Sequence, residues 1–273
     1  MLAHERRGDG PALVLIHGIG SRRQVWDPIV AELARHREVI TLDLPGFGES
    51  PLWPDPTTGQ AMPGDAGVVG SVGHLADQVA AFLDQLGLER PELAGSSLGG
   101  GITLELGRRG RASAVTAFAP VGFWGPAGRR WGQAVVGGSR LLSTALAPAL
   151  PRIFATRAGR IALCAVFSGH PSRLSPEDCL ASAHALSRAP GFAAARRAFG
   201  VRRLSIGADP GALADIPVTI AWGTRDVVPP HHRQAARARE ELPTARHVRL
   251  PGCGHLPFAD EPARCARLLT ARQ

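Results

Sequence analysis

Six short apolar runs punctuate the chain, at residues 12–18 (ALVLIHG), 38–46 (EVITLDLPG), 91–95 (PELAG), 113–120 (SAVTAFAP), 216–223 (IPVTIAWG) and 245–252 (ARHVRLPG). The first is nearly continuous in apolar side chains and the others repeat its pattern, which predicts strands buried on both faces, as in a parallel sheet. Segments with helical spacing lie between them. The clearest is 74–86, with Leu75, Val79, Phe82, Leu83 and Leu86 on one face; 26–34, 98–106, 231–241 and 262–271 complete the set. Strands alternating with helices predict an α/β fold, a mostly parallel central sheet flanked by helices with right-handed crossovers.

Two stretches break the alternation. Residues 51–73 are rich in proline and glycine and read as a long surface excursion, either functional or a plain insertion. Residues 121–213 hold helical segments and no clear strand, so the expected organisation is a core of 1–120 and 214–273 with an inserted helical cap over 121–213. Inside it, Ser175-Pro176-Glu177-Asp178 has the residues of a helix start: a hydroxyl N-cap, proline at the first position, and acids near the positive end of the dipole.

The candidate chemistry begins at Gly95-Ser96-Ser97-Leu98-Gly99, which fits G-x-S-x-G with Ser97 at its centre. A strand that turns sharply into a helix while projecting one side chain needs very small residues two positions either way. Ser97 has Gly95 and Gly99 there; Ser96 would have Ala94 and Leu98, and leucine is too large. Ser97 is therefore the candidate nucleophile. A serine hydroxyl needs a base, and the base needs an orienting group. His255 follows the last predicted strand in "PGCGHLPFADEP", and Asp226 follows the strand before it in "WGTRDVVPP". The order Ser97, Asp226, His255 differs from the orders in chymotrypsin and subtilisin. The expected oxyanion donors are the N–H groups of Leu98 and Ile19, the latter in "LIHGIG", where His17 braces the loop.

With these pieces in order, the chain resembles the α/β-hydrolase fold superfamily, specifically its cofactor-free capped members. The motifs are "LIHGIG", "VITLDLPGFGES", "LAGSSLGGG", "WGTRDVVPP" and "GCGHLPFADEP". Two departures stand out. Ser96 occupies a position where asparagine or histidine is usual, and the N-terminal edge strands are reduced to "MLAHERR". The resemblance implies a serine hydrolase, carboxylesterase-like, working through an acyl-enzyme on a small or medium ester. Carbon–carbon hydrolysis, lactone opening and acyl transfer use the same triad and stay open, as does a ligand-binding receptor on this scaffold. Relatives that hydrolyse epoxides or haloalkanes use aspartate at the elbow, and epoxide hydrolases also use cap tyrosines. This chain has Ser97 and no tyrosine. No cofactor and no metal are expected. Phe123 and Trp124 are candidates for an apolar pocket wall, or for plain core.

Composition changes this picture in one respect. The net charge of +8 comes from 31 basic residues, all arginine, in a chain with no lysine, asparagine or tyrosine. A GC-rich genome accounts for that bias, and with no nucleic-acid module no nucleic-acid partner is expected. Residues 121–212 hold 12 arginines against three acids, a balance of +9, whereas the rest holds 19 against 20. That face is either simply solvated or attracts an anionic acyl substrate or a membrane surface. No signal-peptide core or membrane-spanning run is present, and Cys164, Cys179, Cys253 and Cys265 have no paired spacing, which together predict a cytoplasmic protein with free thiols. A monomer or homodimer is expected.

Overall fold

The structure is a computed structural model that describes residues 1–52, 68–199, 209–228 and 230–270. Its strands are β1 (His4–Arg7), β2 (Ala12–Ile16), β3 (Glu38–Leu42), β4 (Glu92–Ser96), β5 (Ala114–Phe118), β6 (Val218–Gly223) and β7 (Arg246–Leu250). They form one seven-stranded sheet in the order β1-β3-β2-β4-β5-β6-β7. All pairings are parallel except β1 with β3. The stretch "MLAHERR" supplies that antiparallel edge.

The helices of the alternating part are α1 (Asp27–Leu33), α2 (Val72–Gln85) and α3 (Leu98–Arg108). Between β5 and β6 come α4 (Pro126–Ala145), α5 (Leu150–Ala155), α6 (Arg157–Cys164), α7 (Pro176–Arg188) and α8 (Phe192–Ala198). After β6 come α9 (His231–Glu241), α10 (Pro257–Asp260) and α11 (Pro262–Thr270). Most of the predicted excursion at 51–73 lies outside the described residues. Its end caps α2, with Ser71 Oγ accepting from His74 N–H at 3.1 Å. The Ser175 cap of α7 forms as its sequence predicts, accepting from Asp178 N–H at 3.0 Å.

Two apolar layers sandwich the sheet. One gathers Val14, Ile16, Leu42, Leu93 and Val115 against α2 and α3, where Leu75, Val79, Phe82 and Leu83 are buried as the helical spacing requires. The other places Leu13, Leu15, Ala94 and Phe118 against Trp26, Phe258 and the buried face of α11. A strand whose odd and even side chains both meet apolar partners has no solvated face, hence the continuous apolar runs.

Backbone packs closely where β4 enters α3. A Cβ at Gly95 would overlap the Gly99 carbonyl, and one at Gly99 would overlap the carbonyls of Ile16 and His17. Helix, β4 and the end of β2 therefore meet backbone to backbone. Gly99→Ala should lower stability by roughly 3 kcal/mol or more, because the obstruction is backbone that must move as a unit. Denaturant unfolding measures it, and a loss below about 1 kcal/mol would contradict this account of the packing.

Candidate active site

Ser97 occupies the turn between β4 and α3 with φ 56° and ψ −113°, a conformation few side-chain-bearing residues adopt. Backbone bonds hold it on both sides. Its N–H donates to Phe118 O at 2.9 Å, and its carbonyl accepts from Val121 N at 3.0 Å and Gly101 N at 3.1 Å. The side chain is buried at the carboxyl edge of the sheet, with 7% exposure. Leu98 opens α3, so its N–H has no partner within the helix. Beside Ser97, the Ser96 hydroxyl is fully buried and has no hydrogen-bond partner among the described residues.

The loop after β2 presses against this turn: a Cβ on Gly18 would stand 3.0 Å from Ser97 Cβ. Ser21 N–H donates to Gly18 O at 3.2 Å, closing a tight turn through Ile19 and Gly20, with Gly20 at φ 69°. His17 fixes the loop from beneath. Its Nδ1 lies 2.7 Å from Gly18 O, and its Nε2 accepts Leu44 N–H at 2.9 Å. That pairing requires the neutral ring protonated on Nδ1. Burial pushes the imidazole below its ordinary value, opposed by Asp43 and by the bond to Gly18. Asp43 is itself fully buried, accepting from Arg23 N at 2.6 Å and Glu49 N at 3.0 Å and pairing with the Arg23 guanidinium.

Asp226 and His255 come together at the ends of β6 and β7. His255 Nδ1 is 2.8 Å from Asp226 Oδ2, and each residue is 4% exposed. The same oxygen accepts Trp222 Nε1–H at 2.9 Å, while Oδ1 accepts Val228 N–H at 2.7 Å. These bonds fix the carboxylate plane and, through it, the ring. With Nδ1 donating, Nε2 is left as an acceptor. The histidine loop is laid directly on the end of β6, where Arg225 N–H donates to Cys253 O at 2.9 Å.

One residue of this region carries no readable signal in the sequence. Asp260, 6% exposed, accepts from Ser168 Oγ at 2.6 Å, Gly169 N at 2.8 Å, His170 N at 3.0 Å and Gly254 N at 2.7 Å. It joins the loop bearing His255 to a segment about ninety residues earlier. Leu256 N–H donates to Phe167 O at 3.0 Å, Arg225 reaches Gly169 O at 3.1 Å, and the Phe167 ring centroid lies 6.4 Å from the imidazole's.

Phe123 and Trp124 are both buried in the main apolar layer, Trp124 with its ring 5.0 Å from that of Phe199. Val121, which bonds the Ser97 carbonyl, ties their segment to the turn. Among the described residues no helix is long and apolar enough to cross a membrane.

A strained serine at a strand-to-helix turn thus faces a glycine loop, and a buried aspartate–histidine pair lies at the same edge of the sheet. The chain belongs to the alpha/beta hydrolase family, whose sequence profile matches residues 13–268. It is 31% identical to an uncharacterised protein of Mycobacterium tuberculosis, over 94% of this chain and 73% of that one. It is also 30% identical to the epoxide hydrolase EphH of Mycobacterium tuberculosis, over 72% of this chain and 92% of the relative. Among solved structures, a thermophilic esterase from Thermogutta terrifontis, bound to malate, superposes with a TM-score of 0.72 at 25% identity, covering 98% of this chain and 91% of the other.

Removing the Asp260 carboxylate takes the acceptor from two buried donors, Ser168 Oγ–H and Gly254 N–H, and from the partly buried Gly169 N–H, and a buried donor left unpaired costs roughly 1–3 kcal/mol. Asp260→Ala should lower stability by about 3 kcal/mol or more and Asp260→Asn by less; equal, small losses in denaturant melts would contradict the network. His17 supplies a pH dependence. The unfolded chain takes up a proton at this ring near pH 6.5, whereas the folded chain resists it to lower pH. Stability is thus intact above that value and falls as pH drops through it, by up to about 1.4 kcal/mol per pH unit. Melts of His17→Gln should show a shallower acid slope than the parent; parallel slopes would refute the neutral ring.

Proposed function

We propose that the chain is a serine hydrolase acting on small or medium carboxylic esters, with Ser97 as nucleophile, His255 as general base and Asp226 as the group that orients it. The buried Asp226–His255 bond of 2.8 Å, at the sheet edge where Ser97 is held at φ 56°, carries this reading. In the first step His255 Nε2 takes the Ser97 proton as Oγ attacks the ester carbonyl. The N–H groups of Leu98 and Ile19 receive the developing oxyanion. Collapse expels the alcohol, which takes the proton from His255, and leaves an acyl-serine. Water, deprotonated by the same imidazole, then releases the acid.

Residues 121–213 act in this reading as a cap over a core of 1–120 and 214–273. Leu186 and Phe192 support it, since their side chains pack against Gly20 of the oxyanion loop. Phe123 and Trp124 supply the apolar wall behind Ser97. The arginine excess of the cap favours acyl groups that carry a negative charge. Epoxide chemistry, the activity named for one relative, is disfavoured by serine at the elbow and by the absence of tyrosine.

Hydrolysis of a neutral p-nitrophenyl ester and of an anionic hemisuccinate ester tests both parts. Ser97→Ala and His255→Ala should each lower kcat/KM by roughly 10⁴-fold or more. Added salt should depress turnover of the anionic ester more steeply than that of the neutral one. A Ser97→Ala protein that keeps its activity would overturn the mechanism, and equal salt responses would overturn the anionic preference.

A further inference from the structure

The segment between β5 and β6 contains a small apolar cluster of its own, built from Leu150, Phe154, Cys179 and Ala183 and bordered by Leu146, Leu163 and Cys164. Two thiols meet in it. Cys164 ends α6 and Cys179 lies in the first turn of α7, with their sulfurs 3.5 Å apart. Cys164 is partly exposed, whereas Cys179 is buried. A disulfide bond is about 2.05 Å long, so joining them requires a closure of about 1.5 Å between two helix ends.

The pair shares one S–H bond, which together with burial holds the Cys164 thiol well above its ordinary range. The Cys164 S–H is directed at the Cys179 sulfur, and Arg160 stands one turn earlier on α6. That bond, opposed by burial and aided by Arg160, holds the Cys179 thiol below its ordinary range. The other two cysteines differ: Cys253 and Cys265 are both fully buried, and burial pushes the Cys253 thiol up to about 11. The chain between the paired thiols includes Phe167 to His170, the stretch that Asp260 fastens to the histidine loop.

We propose that Cys164 and Cys179 are a reversible disulfide-forming site that staples this docking stretch into a closed ring. The oxidant is a small-molecule disulfide, R–S–S–R. The partly exposed Cys164 gives its proton to solvent and attacks as the thiolate, the reagent's S–S bond breaks, and one R–S⁻ departs to be protonated. The Cys179 thiolate then attacks Cys164 Sγ, the Cys164–Cys179 bond forms, and the second R–S⁻ leaves to be protonated. The protein loses two electrons and two protons, and the reagent gains both. Because a disulfide restricts the unfolded chain, the oxidised form is the more stable one.

Incubation of the purified chain with oxidised glutathione, followed by alkylation of the remaining thiols and peptide mass mapping, tests the site. Two of the four thiols should disappear, with a Cys164–Cys179 link, no retained glutathione, and recovery on reduction. The apparent Tm should rise by about 5 °C on oxidation. Cys179→Ser should instead keep glutathione on Cys164 with no gain in Tm, and Cys164→Ser should take up no reagent. Four surviving thiols, a stable glutathione adduct on the parent chain, or a link through Cys253, Cys265 or a second molecule would overturn the proposal.

Discussion

The arrangement hangs on one backbone constraint: β4, α3 and the end of β2 approach so closely that Gly95 and Gly99 have no room for a side chain. This contact lets the strand turn into the helix within a single residue, and that residue, Ser97, takes the strain. Strained conformations persist only where the surroundings over-determine them. Here bonds from Phe118, Val121 and Gly101 do so. The same approach brings Gly18 against Ser97, so one packing event assembles both the serine and the loop opposite it.

The remaining parts are carboxylate-anchored. Asp43 anchors the loop of His17 from below, Asp226 fixes His255, and Asp260 fixes the loop on which His255 rides. Each is buried, and each is met by several donors rather than by one ion pair. Buried carboxylates hold position well when all their acceptor sites are used and badly when they are not. In the proposed mechanism this rigidity keeps His255 Nε2 aimed without help from substrate.

Much of this was legible in the sequence because it is local. Short apolar runs, most of them ending in glycine, marked the strands, and glycine spacing selected Ser97 over Ser96. Asp226 and His255 stood out because each follows a strand end. What could not be read depends on distant pairing. Asp260 meets Ser168, Gly169 and His170 only after the chain between β5 and β6 folds back, and nothing near Asp260 announces that. Cys164 and Cys179 are separated by a stretch that fits no disulfide or metal spacing, yet the packing of α6 on α7 brings their sulfurs into contact. The His17 tautomer required knowing that Leu44 N–H would face its Nε2.

The central claim is that Ser97 is an activated nucleophile, and covalent labelling tests it most directly. Treatment with a fluorophosphonate, followed by mass spectrometry of the digested protein, should place the adduct on Ser97. It should be absent from Ser97→Ala and strongly slowed in His255→Ala. A folded protein that takes no label at Ser97, or labels as fast without His255, would contradict the account.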